Sequence, residues 1–366
     1  MLYPQSNNYR STTSLNGIWN YKFVEDGYVP VKKAVNTQPM AVPASINDIV
    51  TDKKTAEYVG KVLFETEFSL PREKDKVYRL RIGSASHKCA IYLNGEKIGE
   101  GINGYFPIDL PLENLKDENR LSVIIDNRLD FHTFPMGMLK AGNSFREATA
   151  SGNFFIRGEE GKYPKYKQVI NHDFYNFTGI HRDVIVYGIN KRAFRDITVK
   201  TAVGGDYKKI SVKTEFFEHD LIDDDVKFTV YGSGKKVAGK TVGTNDLIRG
   251  EVCFEIEDPE LWSTESPFLY KLTAESSVDK YSLFFGIRKV SFDEKGLYLN
   301  DKPVYLKGFG MHEDFFISGK GVNTAVNVRN FELLKWINAN SFRTSHYPYA
   351  EEVYDLADMY GILIID

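Results

Sequence analysis

The sequence predicts a multidomain chain, β-rich at first and α/β at its end. Three observations carry that expectation. Short β-prone runs separated by turn residues fill most of the first 286 positions, and no long amphipathic helix appears in the first 188. After about Phe292 the apolar spacing changes to helical repeats between short strands. A chain of 366 residues also exceeds one ordinary core, which calls for two or three domains.

Residues 1–188 read as one antiparallel β-domain. The runs Val62 to Leu70, Lys76 to Ile82, Cys89 to Leu93 and Arg120 to Asn127 are strand-like, and Asn94-Gly95 between the last two suits a tight hairpin turn. Strands joined this way suggest a sandwich or jelly roll. Residues 139–171, rich in Gly, Ser, Lys and Glu, are longer than a normal connection. Disorder and a lid over a binding site are the two readings of that segment.

Residues 189–286 form a second module of about 100 residues, the size of an immunoglobulin-like β-sandwich. Its strands include Ile197 to Thr201, Ile210 to Phe216, Val226 to Tyr231, Glu251 to Ile256 and Leu269 to Ala274, with a turn at Gly232-Ser233-Gly234. Nothing in it points to chemistry, so a spacer is expected.

Residues 287–366 begin a third unit. Val304 to Phe309 is a short buried-type strand. Val328, Phe331, Leu334 and Ile337, widened by Leu333, make a helical stripe. Ser341 to Thr344 is a second strand. Val353, Leu356, Ala357 and Tyr360 fall on one face of a second helix, with Gly361 at its C-cap, and Ile362 to Ile365 is a third strand. The order βαβαβ implies parallel strands with right-handed crossovers. Three such strands leave edges uncovered, so the unit is expected to be part of something larger.

Composition excludes several classes. With 47 basic against 50 acidic residues the net charge is −3, which gives no electrostatic case for nucleic acid or an anionic membrane. No apolar run approaches the about 18 residues that span a bilayer, and no signal-peptide pattern follows Met1. Cys89 and Cys253 lie far apart in strand-like runs and read as buried free thiols, in keeping with a cytoplasmic location. Neither HExxH nor a clustered Cys/His spacing supports a metal site, and no cofactor motif appears.

In a β/α barrel, reactive groups collect at the C-terminal ends of the strands. The first strand here runs into Met311, His312, Glu313 and Asp314, the second into Arg343, Ser345, His346 and Tyr347, and the third into Asp366. Singly, each has a structural reading: Glu313 or Asp314 as a cap of the following helix, Arg343 as a buried paired guanidinium, either histidine as a satisfied polar residue. Together on one rim they favour a site.

Asn340-Ser341-Phe342-Arg343-Thr344-Ser345-His346-Tyr347-Pro348, followed by Val353-Tyr354, Asp358 and Gly361, resembles the signature of glycoside hydrolase family 2. Leu261-Trp262 to Pro267-Phe268-Leu269-Tyr270 is similar to a passage late in the family's sandwich. The resemblance implies a sugar-binding jelly roll, an immunoglobulin-like sandwich and the start of a (β/α)8 TIM barrel. Two further passages are similar to the glucuronidase branch. One runs from His172-Asp173-Phe174 to His181-Arg182, the other from Lys307-Gly308 through His312-Glu313-Asp314 to Gly319-Lys320-Gly321. Met311, Tyr175 and Thr178 depart from those patterns.

By that resemblance, Asp173 and His312 contact the sugar, while Arg343 and His346 line the barrel floor and support the nucleophile. It implies a retaining hydrolase of β-D-glucuronides, with no cofactor and a homo-oligomeric, tetrameric assembly. A β-galactosidase of the same family and a non-catalytic carbohydrate-binding protein are the alternatives. The catalytic carboxylates of the family belong to the fourth and seventh strands, so both are expected beyond Asp366. Glu313 does not occupy either position.

Overall fold

A computed structural model of the protein describes residues 1–141, 166–170, 172–218 and 224–366. Two β-sandwiches are followed by a parallel α/β unit. In the first sandwich a six-stranded antiparallel sheet has the order Gln38–Val42, Gly17–Val24, Lys61–Ser69, Glu118–Asp126, Lys88–Leu93, Glu96–Gly101. It faces a four-stranded sheet ordered Ser11–Ser14, Val184–Ile189, Val77–Ile82, Ile108–Leu112. Alternation along these strands sends Trp19, Phe64, Ile91, Val123 and Ile125 from one sheet, and Leu80, Ile82 and Val186 from the other, into a shared core.

The Asn94-Gly95 turn forms as expected, with φ of 53° and 94°. Its hairpin partner is Glu96–Gly101, and Glu118–Asp126 pairs with the other edge of Lys88–Leu93. Glu96–Gly101 escapes sequence reading because Ile98 is its only β-branched residue. Gly137–Ala141 and Tyr166–Ile170 pair as a two-stranded ribbon. Most of the 139–171 segment, and with it the choice between disorder and a lid, lies outside the described residues.

The second sandwich sets Phe194–Thr201, Lys209–Phe216 and Val252–Glu255 against Lys235–Gly243, Asp225–Gly232, Tyr270–Glu275 and Lys280–Phe285. Phe194, Ile210, Phe228 and Leu272 fill its centre. Ser233 and Gly234 turn at φ of 48° and 75°. Cys89 is buried, but Cys253 is exposed, against expectation. Val252 and Phe254 take the inward positions of that strand, so the pleat turns Cys253 outward. The N-terminal residues run along this second module: Arg10 forms a buried ion pair with Asp279, and its Nε donates over 2.7 Å.

In the α/β unit Gly308–Met311, Ser341–Thr344 and Leu363–Ile365 pair in parallel, linked by helices Thr324–Trp336 and Glu351–Tyr360. The first strand begins four residues later than expected, and Gly308, Phe309 and Gly310 are exposed rather than buried. Val304 belongs to the preceding hairpin region, where its N–H donates to the Leu297 carbonyl. A Cβ on Gly308 would sit 1.7 Å from the Ser341 carbonyl oxygen, so only glycine permits this pairing.

The first helix buries Asn327, Phe331 and Leu334, while Val328, Leu333 and Ile337 stay exposed. Steps of three residues each lag a full turn by about 60°, so a run of them drifts off the buried face, whereas i, i+4, i+7 keeps to it. The second helix buries Val353, Leu356 and Ala357 and ends on Gly361 at φ 69°, both as expected. No helix among the described residues is long and apolar enough to cross a membrane.

Candidate active site

The parallel strands bring His312, Arg343 and His346 to one rim, and a loop of the first sandwich brings Asp173 to the same place. His346 Nε2 lies 2.9 Å and 3.1 Å from the two carboxylate oxygens of Asp173. Arg343 Nη1 contacts His346 Nδ1. A guanidinium can only donate, so Nδ1 is the acceptor and the imidazole proton sits on Nε2, where it is donated to Asp173. That hydrogen bond holds the Asp173 carboxyl below the usual carboxylate range. The His312 ring stands edge-on to His346 at 6.1 Å and lies 6.4 Å from Phe174. All four residues singled out in the sequence therefore converge, and all four are exposed.

Beneath them lies a buried layer that joins the two units. Arg182 donates to the Tyr105 carbonyl at 2.9 Å, the Pro348 carbonyl at 2.6 Å and Glu313 Oε2 at 3.2 Å. Glu313 Oε1 accepts from the Ala350 N–H at 2.8 Å, at the start of the second helix. Glu313 is thus a buried structural carboxylate, but the helix that it caps is not the one that follows it. The following helix is capped by Asn323, whose side chain accepts from the Val326 N–H. Asp314 instead pairs with Lys320 Nζ at 3.1 Å.

Lys320 was missed as a site residue by sequence reasoning. Its ammonium lies 3.5 Å from the Tyr347 ring centroid, with Tyr105, Phe174 and Phe177 each within 5.9 Å. Burial pulls its pKa down to about 8, against the opposing pull of Asp314 and Glu313. Gly319 and Gly321 on either side pack on Ser45, Phe177 and Ala44 so closely that a Cβ would clash. Tyr105 and Tyr347 stack at 4.6 Å across the junction.

His181, Asn176 and Thr178 of the 172–182 passage are engaged within the first sandwich. His181 Nε2 and Nδ1 meet the Ser45 and Ser86 hydroxyls at 3.0 Å and 3.2 Å, and His87 Nε2 contacts Asn176 Oδ1. Burial pushes His181 well below its ordinary value and His87 to about 4, so both imidazoles are neutral at pH 7. Thr178, which departs from the family pattern, accepts from Asn127 Nδ2 at 2.8 Å. Of this passage Asp173 and Phe174 lie against His346, while Arg182 and Phe177 reach the buried layer beneath through Glu313 and Lys320. No group of three His, Cys, Asp or Glu side chains suited to a metal ion occurs among the described residues.

Residues 193–288 match the profile "Glycosyl hydrolases family 2" and residues 290–366 match "Glycosyl hydrolases family 2, TIM barrel domain". Over its whole length the chain is 34% identical to a β-glucuronidase of Paenibacillus borealis, of which it covers 60%. It is 33% identical to one of Streptococcus agalactiae, of which it covers 58%. Among solved structures, a β-glucuronidase from an uncultured Clostridium sp. superimposes with a TM-score of 0.84 at 38% identity, covering all of this chain and 60% of that one. The Ruminococcus gnavus β-glucuronidase in complex with uronic deoxynojirimycin gives 0.86 at 31%, with the same two coverages. The chain thus spans about three fifths of the length of these relatives.

Proposed function

From a chain that carries two glycosyl hydrolase family 2 domains, we propose a protein that hydrolyses β-D-glucuronides by double displacement. The observation that carries the reading is the convergence of Asp173 and His346 at 2.9 Å, between a sandwich loop and the mouth of a barrel-type sheet. The full-length similarity to proteins named β-glucuronidase supports the choice of sugar.

In this reading Asp173 and His312 bind sugar hydroxyls, and Arg343 and His346 shape the floor. Double displacement needs two carboxyl groups about 5–5.5 Å apart, one as acid/base and one as nucleophile. Besides Asp173, which this reading gives to sugar binding, the carboxylates Glu313, Asp314 and Asp366 at the strand ends are engaged by protein groups. Glu313 is held by Arg182 and the Ala350 N–H, and Asp314 by Lys320. Asp366 accepts from Thr344 and Tyr354. By the family resemblance the reacting pair belongs to the fourth and seventh barrel strands, and the proposal assigns both to residues outside these 366.

Rates of the full-length protein on nitrophenyl β-D-glucuronide and nitrophenyl β-D-galactoside test the sugar. Faster galactoside cleavage overturns it. The first-formed product anomer, read by NMR, tests the stereochemistry: the β anomer is expected, and the α anomer refutes double displacement.

A further inference from the structure

Lys320 is 2% exposed, and nothing in the proposed hydrolysis uses it. The chain nevertheless brings its ammonium to one point. The Lys320 N–H donates to Ser45 Oγ at 3.0 Å, and the Ser45 N–H donates to the Ser318 carbonyl at 2.9 Å, which pins the loop to the first sandwich. The turn before it holds Ile317 at φ 74°, where a β-branched side chain is strained. A strained backbone and a buried ammonium both oppose stability, and such features are retained where they serve a site. The cage around the ammonium also has a particular connectivity. Its walls include Tyr347, with the ring centroid 3.5 Å from Nζ, and Phe174, at 5.6 Å. The two rings meet edge to face at 5.1 Å. Tyr347 follows His346 in the chain and Phe174 follows Asp173, so each wall is one residue from a member of the rim pair.

We propose that Lys320 is a positioning residue of the sugar site: its ammonium clamps Phe174 to Tyr347 and through them fixes Asp173 against His346. The inference rests on the glucuronide reading above and adds a residue that acts on binding without touching substrate. The clamp needs the charged form, because a neutral amine loses both the Asp314 ion pair and the attraction to the ring faces. Several other groups face Lys320. Asp314 and Glu313 come from its own side of the rim, Tyr347 from the second strand, and Tyr105, Arg182, His87, His172 and His181 from the first sandwich. Arg182 and Glu313 already pair with each other at 3.2 Å. Burial holds His87 and His172 at about 4 and His181 well below its ordinary value, so these three are neutral at pH 7 and above. Burial also lifts the Tyr105 and Tyr347 hydroxyls far above the ordinary tyrosine range. Among these shifted groups Lys320, pulled down to about 8, is the one that changes charge between pH 7 and pH 10.

KM and kcat of the full-length protein on nitrophenyl β-D-glucuronide, followed from pH 7 to pH 10, test the clamp. At pH 7 Lys320→Met should raise KM by about tenfold and leave kcat within about twofold, the mark of lost binding rather than lost chemistry. The two KM values should converge by pH 10, as the wild-type ammonium gives up its proton. Asp314→Asn removes the carboxylate that holds the Lys320 value up, so its KM should begin to rise at a lower pH than that of the wild type. Equal KM for wild type and Lys320→Met at pH 7, or a difference that persists undiminished to pH 10, overturns the assignment alone. If Lys320→Met does not fold, Asp314→Asn decides: an onset that stays in place or moves to higher pH overturns it. No turnover of nitrophenyl β-D-glucuronide by the wild-type protein overturns the glucuronide reading and this inference with it.

Discussion

Glu313 decides between a structural and a catalytic carboxylate at the rim, and its replacement separates the two. The side chain is 4% exposed and Arg182, its partner, 5%. Removing the carboxylate in Glu313→Ala leaves the buried Arg182 guanidinium, whose Nε already lacks a partner, without its counter-charge. It also strips the acceptor from the Ala350 N–H. Breaking a buried pair of this kind costs about 3–5 kcal/mol, which for a domain of this size lowers Tm by on the order of 10 °C. Glu313→Gln keeps an acceptor for Ala350 but sets an NH2 group against Arg182, so about half that loss is expected. Thermal unfolding followed by tryptophan fluorescence reads the stability. Rates on nitrophenyl β-D-glucuronide, measured well below both transitions, read the chemistry. The structural assignment expects a large fall in Tm with kcat reduced by less than about tenfold. An unchanged Tm with kcat lower by about a thousandfold or more would falsify it, because that is how a missing nucleophile or acid behaves.

Two further outcomes follow from the same geometry. Asp173→Ala should raise KM for the glucuronide by about tenfold and leave Tm unchanged, since it removes only an exposed contact; unchanged kinetics remove Asp173 from the site. Lys320→Met should be more stable than the parent at pH 7, and the difference should vanish as pH rises. The sign is set by the direction of the shift. A lysine pulled from 10.5 to about 8 sheds its proton first in the folded state, so stability rises between those pH values. At about 1.4 kcal/mol per pH unit the net penalty on the charged form, after Asp314 and Glu313 have offset part of the desolvation, is about 3 kcal/mol, of which the face-on Tyr347 contact returns about 2. Urea unfolding at pH 7 and pH 10.5 reads both ends, and a Met variant less stable than the parent at pH 7 shows that the cage outweighs desolvation.

The order of architectures was legible because periodicity survives in single sequences. Alternation with turn pairs such as Asn94-Gly95 marks the sandwiches, and Val353, Leu356 and Ala357 mark the amphipathic second helix. The rim cluster was legible for another reason: strand ends in a parallel sheet point one way, so His312, Arg343 and His346 had to share a face. Lys320 was not legible. In Gly319-Lys320-Gly321 a lysine between glycines reads as a solvated loop, and its cage comes from positions 105, 174, 177 and 347, brought together only by the fold. Cys253 and the exposed Val328 and Ile337 failed for a local reason, since an apolar residue in a strand or helix does not by itself say which face is covered.

The contact that marks the proposed site cannot be the one that aligns the two units. The His346 and Asp173 side chains are 36% and 68% exposed, and an exposed ion pair contributes about 0–1 kcal/mol. Alignment must come from the buried layer beneath, where Arg182, Glu313, Lys320 and the Tyr105–Tyr347 stack are each closed to solvent. This division has a chemical consequence. Breaking the Asp173–His346 hydrogen bond costs little, so a sugar hydroxyl can take over the Asp173 carboxylate without disturbing the junction. Arg343 still occupies Nδ1 of His346, which keeps the proton on Nε2 and leaves that N–H free to donate to a second sugar oxygen. Under the proposed function the pair therefore offers substrate one acceptor and one donor, over a junction fixed by the buried layer beneath.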